Sequence, residues 1–277
     1  MDAGIKRKIF LRSFLIQAGW NDQRMQNMGF AFAIYPALAA LYKGRELCAG
    51  MKRHLGFFNT HPFMAGFALG LAARLEEQGA LSGQPHDTAR VEAIKSAVAP
   101  PLGAIGDRFF WAALRPASLS ISLLALWALG LRHLTHPPEE MWRFQTSFGA
   151  GELLVGLAAG LAVYNGIAIW VRWKGISYGY QCGAGGSCGL DFVNWQGMIR
   201  KARLAGFCAT VLLIAMKLIV FWRLKMPAAL HGHDALAYLL APPAMCAAFF
   251  TTRSGKHVAQ VYGAVICICI IAFALAY

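Results

Sequence analysis

The chain has 277 residues, of which 57% are hydrophobic and only 14% are charged. Because a soluble domain carries about a quarter charged residues, this composition excludes an ordinary soluble protein and predicts an integral membrane protein. Lys and Arg number 26 against 13 Asp and Glu, which indicates basic cytoplasmic loops and contact with anionic lipid headgroups. The basic residues are dispersed between apolar runs and no nucleic-acid-binding module is recognised, so no nucleic acid is expected as a partner.

Residues 1–28 are predicted to form an amphipathic segment at the membrane interface. A helix over residues 5–17 would separate an apolar face from a basic one, with Ile9, Phe10 and Phe14 on one side and Lys6, Arg7, Lys8 and Arg12 on the other. Such a helix can lie in the interface, and a helix packed on the protein surface is the alternative. The basic cluster predicts a cytoplasmic N-terminus, and the charge at Arg12 argues against a signal peptide.

Residues 29–131 are predicted to hold hairpins with two polar breaks. The first break, Phe57-Phe58-Asn59-Thr60-His61-Pro62, is typical of a re-entrant or broken hairpin, whose irregular backbone is shielded by protein or water. Pro62 suits the first turn of a helix, so a helix is predicted from Pro62 to about Gln78, with Thr60 or His61 at its entry. Polar groups at such a start suit a sugar or an anion, and a well-capped helix in a packed core is the alternative.

The second break covers Pro100 to Trp111. Its two prolines are predicted to end a helix over residues 88–98, and Asp107 suits the N-cap of a helix that restarts there. Arg115-Pro116 is predicted to interrupt that helix again. Charges framed by aromatic residues in an apolar setting need partners or a function, and an ion pair of Asp107 with Arg115 or Arg108 is the structural alternative.

Residues 147–277 are predicted to form transmembrane helices and a C-terminal region. Residues 147–173 are long enough to span a bilayer, and four glycines give one side that permits close helix packing, namely Gly151, Gly156, Gly160 and Gly166. Further apolar segments cover residues 204–222, 235–250 and 258–277.

Seven cysteines are scattered through the chain, and their odd number does not make a secreted disulfide framework. Cys182 and Cys188 flank the densest part of a glycine-rich stretch at residues 175–189, which is expected to be a flexible loop. A metal site would need more ligands, and the nearest histidine pair, His231 and His233, is distant in sequence. No metal or cofactor is therefore expected, and an unrelated membrane enzyme with a metal site here is a competing hypothesis.

Three blocks in this order carry a family resemblance: residues 17–30, which begin Gln-Ala-Gly-Trp-Asn, then residues 57–62, then residues 101–111 with Leu114-Arg115-Pro116. Together they resemble the enzyme IID component of the mannose/fructose/sorbose family of bacterial sugar phosphotransferase systems. The resemblance covers residues 10–117, and Gly175 and Gly179 resemble a glycine-spaced turn that follows the long helix of that family. Arg108 departs from it, because the family usually has a small residue such as Ser there.

The resemblance implies an all-α integral membrane protein with transmembrane helices, broken or re-entrant helical hairpins and an N-terminal amphipathic helix. It implies a single enzyme IID domain over residues 1–277, with several passes through the bacterial cytoplasmic membrane. Enzyme IIC would be the obligate partner, and IIC–IID pairs would assemble into a higher oligomer. Enzymes IIA and IIB would donate the phosphoryl group to a translocated hexose. Enzyme IID carries no phosphoryl group in that scheme, and no nucleophile with an adjacent base is evident in the chain.

The side chains expected to contact the hexose are, in order, Asn59, Thr60, His61, Asp107 and Arg115, followed by Gln26 and Asn27. Their amides, hydroxyl, carboxylate and guanidinium suit hexose hydroxyls, and nearby aromatic rings suit the C–H faces of a sugar. For Gln26 and Asn27, a structural role between hairpins is the alternative. His61 is expected to bind or cap rather than to carry a phosphoryl group. The competing function is a regulatory or receptor-like homologue without transport, which the divergent Arg108 and C-terminal part motivate.

Overall fold

The computed structural model describes residues 1–83, 88–130, 149–182 and 190–223. Within them the chain is helical, and no β-strand occurs beyond two isolated bridges that join Asn21 to Met25 and Met25 to Phe58. The helices are α1 Ala3–Ser13, α2 Asn27–Leu41, α3 Gly44–Arg53, α4 Ala65–Leu81, α5 Thr88–Gly106, α6 Arg115–Gly130, α7 Ala150–Cys182 and α8 Trp195–Arg223. A π-helical segment, Asp107–Leu114, joins α5 to α6, and a 3₁₀ turn, Leu190–Phe192, precedes α8.

The chain forms two compact units, one of Met1–Thr135 with Arg143–Thr210 and one of His136–Trp142 with Val211–Tyr277. The described part of the second unit is the last portion of α8. The predicted apolar segments at residues 235–250 and 258–277 lie outside the described residues.

In the described ranges, two helical stretches are long and apolar enough to cross a bilayer, Ala89–Leu129 with 41 residues and Ala150–Cys182 with 33 residues. They agree with the all-helical membrane fold predicted from composition. The apolar α2 has 15 residues, which is too short to cross a bilayer by itself. The re-entrant geometry of the hairpins stays a prediction.

The predicted break at Pro100 to Trp111 is wrong, because the chain stays helical from Thr88 through the π-helical segment to Gly130. Pro100 and Pro101 each remove a backbone donor. The helix nevertheless continues because the side chains around them are buried in the core, namely Ala99, Leu102, Phe109 and Phe110. Asp107 therefore makes no side-chain cap, and Arg115 begins α6 without an interruption.

The helix after the first polar break begins later than predicted. Residues 62–64 form a turn in which the Met64 N–H donates to the His61 carbonyl at 2.9 Å, and α4 then runs from Ala65 to Leu81. Pro62 thus precedes the helix instead of occupying its first turn. The predicted length was nearly right, but both ends lie three residues further along the chain than expected.

Glycines bring α4 and α7 into direct backbone contact. A β-carbon at Gly70 would overlap the Ile176 carbonyl, and one at Gly179 would overlap the Phe67 carbonyl. Gly175 and Gly179 are therefore interior residues of α7, and the predicted turn at these positions is wrong. Residues 175–182 of the predicted loop belong to α7, and its remaining part with Cys188 lies outside the described residues.

The prediction that four glycines give the long helix α7 a side for close helix packing is partly correct. Gly156 and Gly160 pack against α6, where the Ser122 hydroxyl donates to the Gly156 carbonyl at 2.6 Å. Gly151 and Gly166 have no neighbour among the described residues within 4 Å of the position of a β-carbon. Close packing therefore uses Gly156 and Gly160 against α6 and the later Gly175 and Gly179 against α4.

Candidate functional site

Gln26 and Asn27, at the start of α2, hold the first polar break, residues 57–62, in place. The Gln26 side chain donates to the Thr60 carbonyl at 2.7 Å and accepts from the Thr60 N–H at 3.2 Å. The Gln26 N–H also donates to the Phe58 carbonyl at 2.8 Å, and the Asn27 amide donates to the Leu55 carbonyl at 2.9 Å. Gln26 and Asn27 are buried, and these bonds give both side chains a structural role.

The first polar break, residues 57–62, lies directly against the helical residues that were predicted to form the second break. The Thr60 hydroxyl donates to the Ala99 carbonyl at 3.0 Å, so Thr60 ties the loop to α5 and does not cap α4. The His61 ring stacks on Phe110 with ring centroids 4.9 Å apart, and a β-carbon at Gly106 would overlap His61. The sequence placed the two polar segments in one site, and the structure brings them into contact.

His61 is buried and neutral. Burial lowers the pKa of His61 to about 4, and the charge of Arg172 acts in the same direction, while Asp107 opposes them. The His61 Nδ1 accepts from the Phe63 N–H at 3.3 Å, which assigns the ring proton to Nε2. Nε2 has no hydrogen-bond partner in the described part of the chain. His61 thus holds one buried, unused donor, and its role in binding stays a prediction.

Asn59, Asp107 and Arg115 are exposed on the surface of the chain. Among the described residues Asp107 makes no ion pair, so the predicted pairing with Arg115 or Arg108 is wrong. The Arg115 guanidinium instead lies over the exposed Trp111 ring, 5.1 Å from its centroid. The predicted sugar-binding residues therefore divide into an exposed group (Asn59, Asp107, Arg115) and a buried group (Thr60, His61, Gln26, Asn27).

Sequence reasoning missed a buried ionic cluster beside this site. Glu76 on α4 is 1% exposed and accepts hydrogen bonds from Arg53 Nη2 at 2.8 Å and from the Tyr42 hydroxyl at 2.9 Å. The His54 Nε2 lies 3.0 Å from the same carboxylate. Lys95 on α5 donates to the His54 carbonyl at 3.2 Å. The cluster thus joins α2 through α5 around one carboxylate.

A signal for this cluster was present in the helical periodicity. Glu76 lies three and four residues after Ala73 and Ala72, which are buried, so it shares their inward face. Glu77, one residue later, instead pairs with the partly exposed Arg74 at 2.8 Å. Burial alone raises the pKa of Glu76, but the hydrogen bonds from His54 and Arg53 outweigh it and hold this pKa at about 2. Burial lowers the pKa of His54, so the cluster contains a neutral imidazole.

A separate cavity of about 560 Å³ lies between α5 and the segment that leads into α8. Its polar lining includes Arg108, Asp191, Asn194 and Gln196. None of the residues predicted to contact sugar lines this cavity. The Asn194 side chain is already engaged, because it accepts from the Gly197 N–H at 2.8 Å.

The competing metal hypothesis concerns residues that the structure mostly does not describe. Cys182 ends α7, whereas Cys188, His231 and His233 lie outside the described residues. Within the described ranges, no group of three or more His, Cys, Asp and Glu side chains is placed to hold a metal ion.

Comparison with known proteins gives a consistent set of relatives. Residues 2–129 match the family described as PTS system mannose/fructose/sorbose family IID component. The mannose-specific EIID component of Escherichia coli K12 is 32% identical over 197 residues, which are 69% of this chain and 58% of that protein. The sorbose-specific EIID component of Klebsiella pneumoniae is 30% identical over 176 residues, 63% of this chain and 56% of that protein. The chain thus aligns with somewhat more than half the length of these relatives.

Two solved structures extend the similarity along the chain. One, described as a membrane protein, has a TM-score of 0.64 at 24% identity and covers 99% of this chain and 97% of its own, which supports the fold. The other is the mannose transporter ManYZ in complex with microcin E492, with a TM-score of 0.52 at 25% identity and the same two coverages.

Proposed function

Because residues 2–129 place the chain in the mannose/fructose/sorbose family of phosphotransferase IID components, we propose that it is one of two membrane subunits of a sugar permease. Its partner in this proposal is an enzyme IIC, and IIC–IID pairs assemble into a higher oligomer. The pair binds a hexose and moves it across the bacterial membrane, while enzyme IIB, charged by enzyme IIA, phosphorylates the sugar. The chain itself transfers no phosphoryl group.

The observation that carries this proposal is the exposure of polar groups on a helix long and apolar enough to cross a bilayer. Asp107 and Arg115 lie near the middle of the helical stretch Ala89–Leu129 and face outward from the chain. A charged side chain that faces lipid inside a bilayer is costly, so such residues normally face protein or a water-filled path. Asn59, on the loop seated against the same helix, adds an exposed amide. An enzyme IIC subunit with a sugar path between the two chains would satisfy all three groups.

The chemistry of this face suits a neutral polyol. Asn59 offers a donor and an acceptor, Asp107 two acceptor oxygens, and Arg115 a fork of donors. The Trp111 ring, exposed beside Arg115, offers an apolar face for sugar C–H groups. The His61 Nε2–H is one more donor within the same region. Thr60, Gln26 and Asn27 support this face from behind through the bonds described above.

Transport assays with matched variants test the proposal. The chain is co-expressed with its own enzymes IIA, IIB and IIC in cells that lack a mannose-type permease, and phosphoenolpyruvate-dependent hexose uptake is measured. Asn59→Ala and Asp107→Ala should each lower uptake about tenfold or more, as expected for losing a hydrogen bond in a water-poor site. Gln23→Ala and Asp22→Ala, which change an exposed amide and carboxylate in the turn before α2, should leave uptake near the wild-type rate.

Two outcomes would count against the proposal. Normal uptake in both site variants would remove the assignment of the exposed polar face. Absence of uptake in the wild type, while the chain still co-purifies with enzyme IIC, would favour the regulatory or receptor-like alternative. Co-purification also shows whether a variant that fails to transport still folds and pairs.

A further inference from the structure

A second surface is formed by α1 and the end of the apolar part of α7, and its positive charge is not balanced by any acidic group among the described residues. Its cations are Lys6, Arg7, Lys8, Arg12 and Lys174. None of the five makes an ion pair with any residue that the structure describes. Asp2 is the nearest acid in sequence, and its carboxylate is occupied by the Gly4 and Ile5 N–H groups at the start of α1.

Two of the five cations, Lys6 and Arg12, lie over aromatic rings. The Lys6 ammonium lies over the Trp173 ring, 3.8 Å from its centroid. Phe10 meets the same ring edge-on, with centroids 5.1 Å apart. On the other side of α1, the Arg12 guanidinium lies 4.7 Å from the centroid of Phe32. A cation placed over an aromatic face keeps its full charge, so it remains available to an external anion.

The neighbouring positive charges of Lys6 and Lys174 favour the binding of an anion. Burial lowers the pKa of Lys6, and the neighbouring charge of Lys174 lowers it further. The two charges therefore repel each other, and Lys6 is held over the ring of Trp173, the residue next to Lys174 in the chain. An anion bound between them would remove this repulsion and gain two charge-assisted hydrogen bonds.

The location of the pair corresponds to the headgroup level of a bilayer. The apolar run of α7 ends at Val171, and Arg172, Trp173 and Lys174 follow, an order typical of a membrane interface. Arg172 anchors α1 at this level, because its guanidinium donates to the Ser13 carbonyl at the end of α1. Next to the cations, α1 and the residues after it expose Leu11, Phe14 and Leu15, which are each at least 50% exposed.

We propose that Lys6, Trp173 and Lys174 form a binding site for the phosphate of an anionic glycerophospholipid. The two ammonium groups contact the phosphodiester, the indole packs at the glycerol level, and the exposed apolar side chains of the first helix contact the acyl chains. A lipid explains the charge and the apolar patch together, whereas a free phosphate explains only the charge. The site lies apart from the proposed sugar face, and it does not depend on transport.

Thermal unfolding of the purified full-length chain, in the complex with which it purifies, tests this site. The delipidated protein is heated with phosphatidylglycerol, with phosphatidylcholine of the same acyl chains, or with inorganic phosphate. Phosphatidylglycerol should raise the Tm in a saturable way, and the other two should not. In the variant Lys6→Gln/Lys174→Gln the apparent affinity for phosphatidylglycerol should fall about fivefold for each cation removed. The variant Arg200→Gln/Lys201→Gln, which neutralises two exposed cations of α8, should keep the wild-type affinity.

Fluorescence gives a second readout that does not depend on unfolding. Brominated phosphatidylglycerol should quench the tryptophan emission of the wild type more than that of Trp173→Phe, because the proposed site includes this indole. Equal Tm shifts with the zwitterionic lipid, or an unchanged affinity in the Lys6/Lys174 variant, would overturn the proposal. A shift of equal size with inorganic phosphate would replace the lipid by a simple anion and would also overturn it.

Discussion

At the scale of single residues, Glu76 determines how the described core responds to acid. The carboxylate is 1% exposed and binds Arg53, His54 and Tyr42, so it is a paired charge in a place where an unpaired one would be costly. Removing the charge would leave the buried Arg53 guanidinium without its partner. The neighbouring Glu77 offers a control, because its ion pair with Arg74 is partly exposed and contributes about 1 kcal/mol or less.

The two perturbed groups of this cluster predict a loss of stability on acidification. The pKa of His54 is lowered from 6.5, so below about pH 6.5 the unfolded state binds a proton that the folded state does not. The pKa of Glu76 is lowered from 4.5 to about 2, so a second loss of stability begins near pH 4.5 and continues until about pH 2. Both contributions are fully present above pH 6.5.

The measurement is the free energy of unfolding in detergent as a function of pH. Glu76→Gln should lower stability at pH 7 by about 3 kcal/mol or more and should remove most of the phase that begins near pH 4.5. A smaller part remains from Glu77, whose pKa is also lowered, chiefly by its hydrogen bond from Tyr180. Glu77→Gln should change stability little and keep that phase. A wild-type stability that is flat between pH 7 and pH 4 would contradict the account.

At the scale of secondary-structure elements, the loop of residues 57–62 is fixed by its fit against α5. Gly106 faces the His61 side chain with no room for a β-carbon, whereas a β-carbon at Gly103 would lie in ordinary contact, 3.8 Å from the Thr60 hydroxyl. Both glycines lie in the same helix, so the gain in helix propensity from an alanine is similar at the two positions. Alanine substitutions at the two glycines therefore separate the effect of side-chain packing from the effect of helix propensity.

Gly106→Ala should displace the loop, lower the Tm and reduce hexose uptake, while Gly103→Ala should leave both close to wild type or slightly raise the Tm. The comparison needs only thermal unfolding and the uptake assay on the two variants. If the two alanine variants behave alike, the loop is not held by this contact, and the described geometry of His61 does not matter for function.

The helices also show how much of the fold and of the candidate site could be predicted from sequence patterns. The lengths of the apolar runs were sufficient to predict helices that can cross a membrane. Pro100 and Pro101 led to the wrong prediction of a helix break, because burial of the residues around them outweighed the loss of two backbone hydrogen-bond donors. Gly175 and Gly179 led to the wrong prediction of a turn, because their contact with α4 involves residues that are distant in sequence. The burial of Glu76 likewise depends on α3 residues more than twenty positions earlier.

At the scale of the whole molecule, the described chain presents two surfaces of different character. One surface carries Asn59, Asp107, Trp111 and Arg115 on and beside the stretch Ala89–Leu129, and it offers both charges and aromatic area. The other carries cations and apolar side chains near the start of the chain and Trp173. The sequence predicted the residues of the first surface. It could not predict which of them face outward, because that depends on the loop being folded back against α5 by Gln26 and Thr60.

The central claim is that the first surface is covered by an enzyme IIC subunit, and site-specific photo-crosslinking tests it most directly. A photoreactive phenylalanine analogue is placed at Trp111 or, as a control, at Trp170, which is also exposed and lies on the other candidate spanning helix. The complex with enzyme IIC is then irradiated in membranes. The account predicts a strong crosslink to enzyme IIC from position 111 and little from position 170. A crosslink from position 111 no stronger than that from position 170 would contradict it.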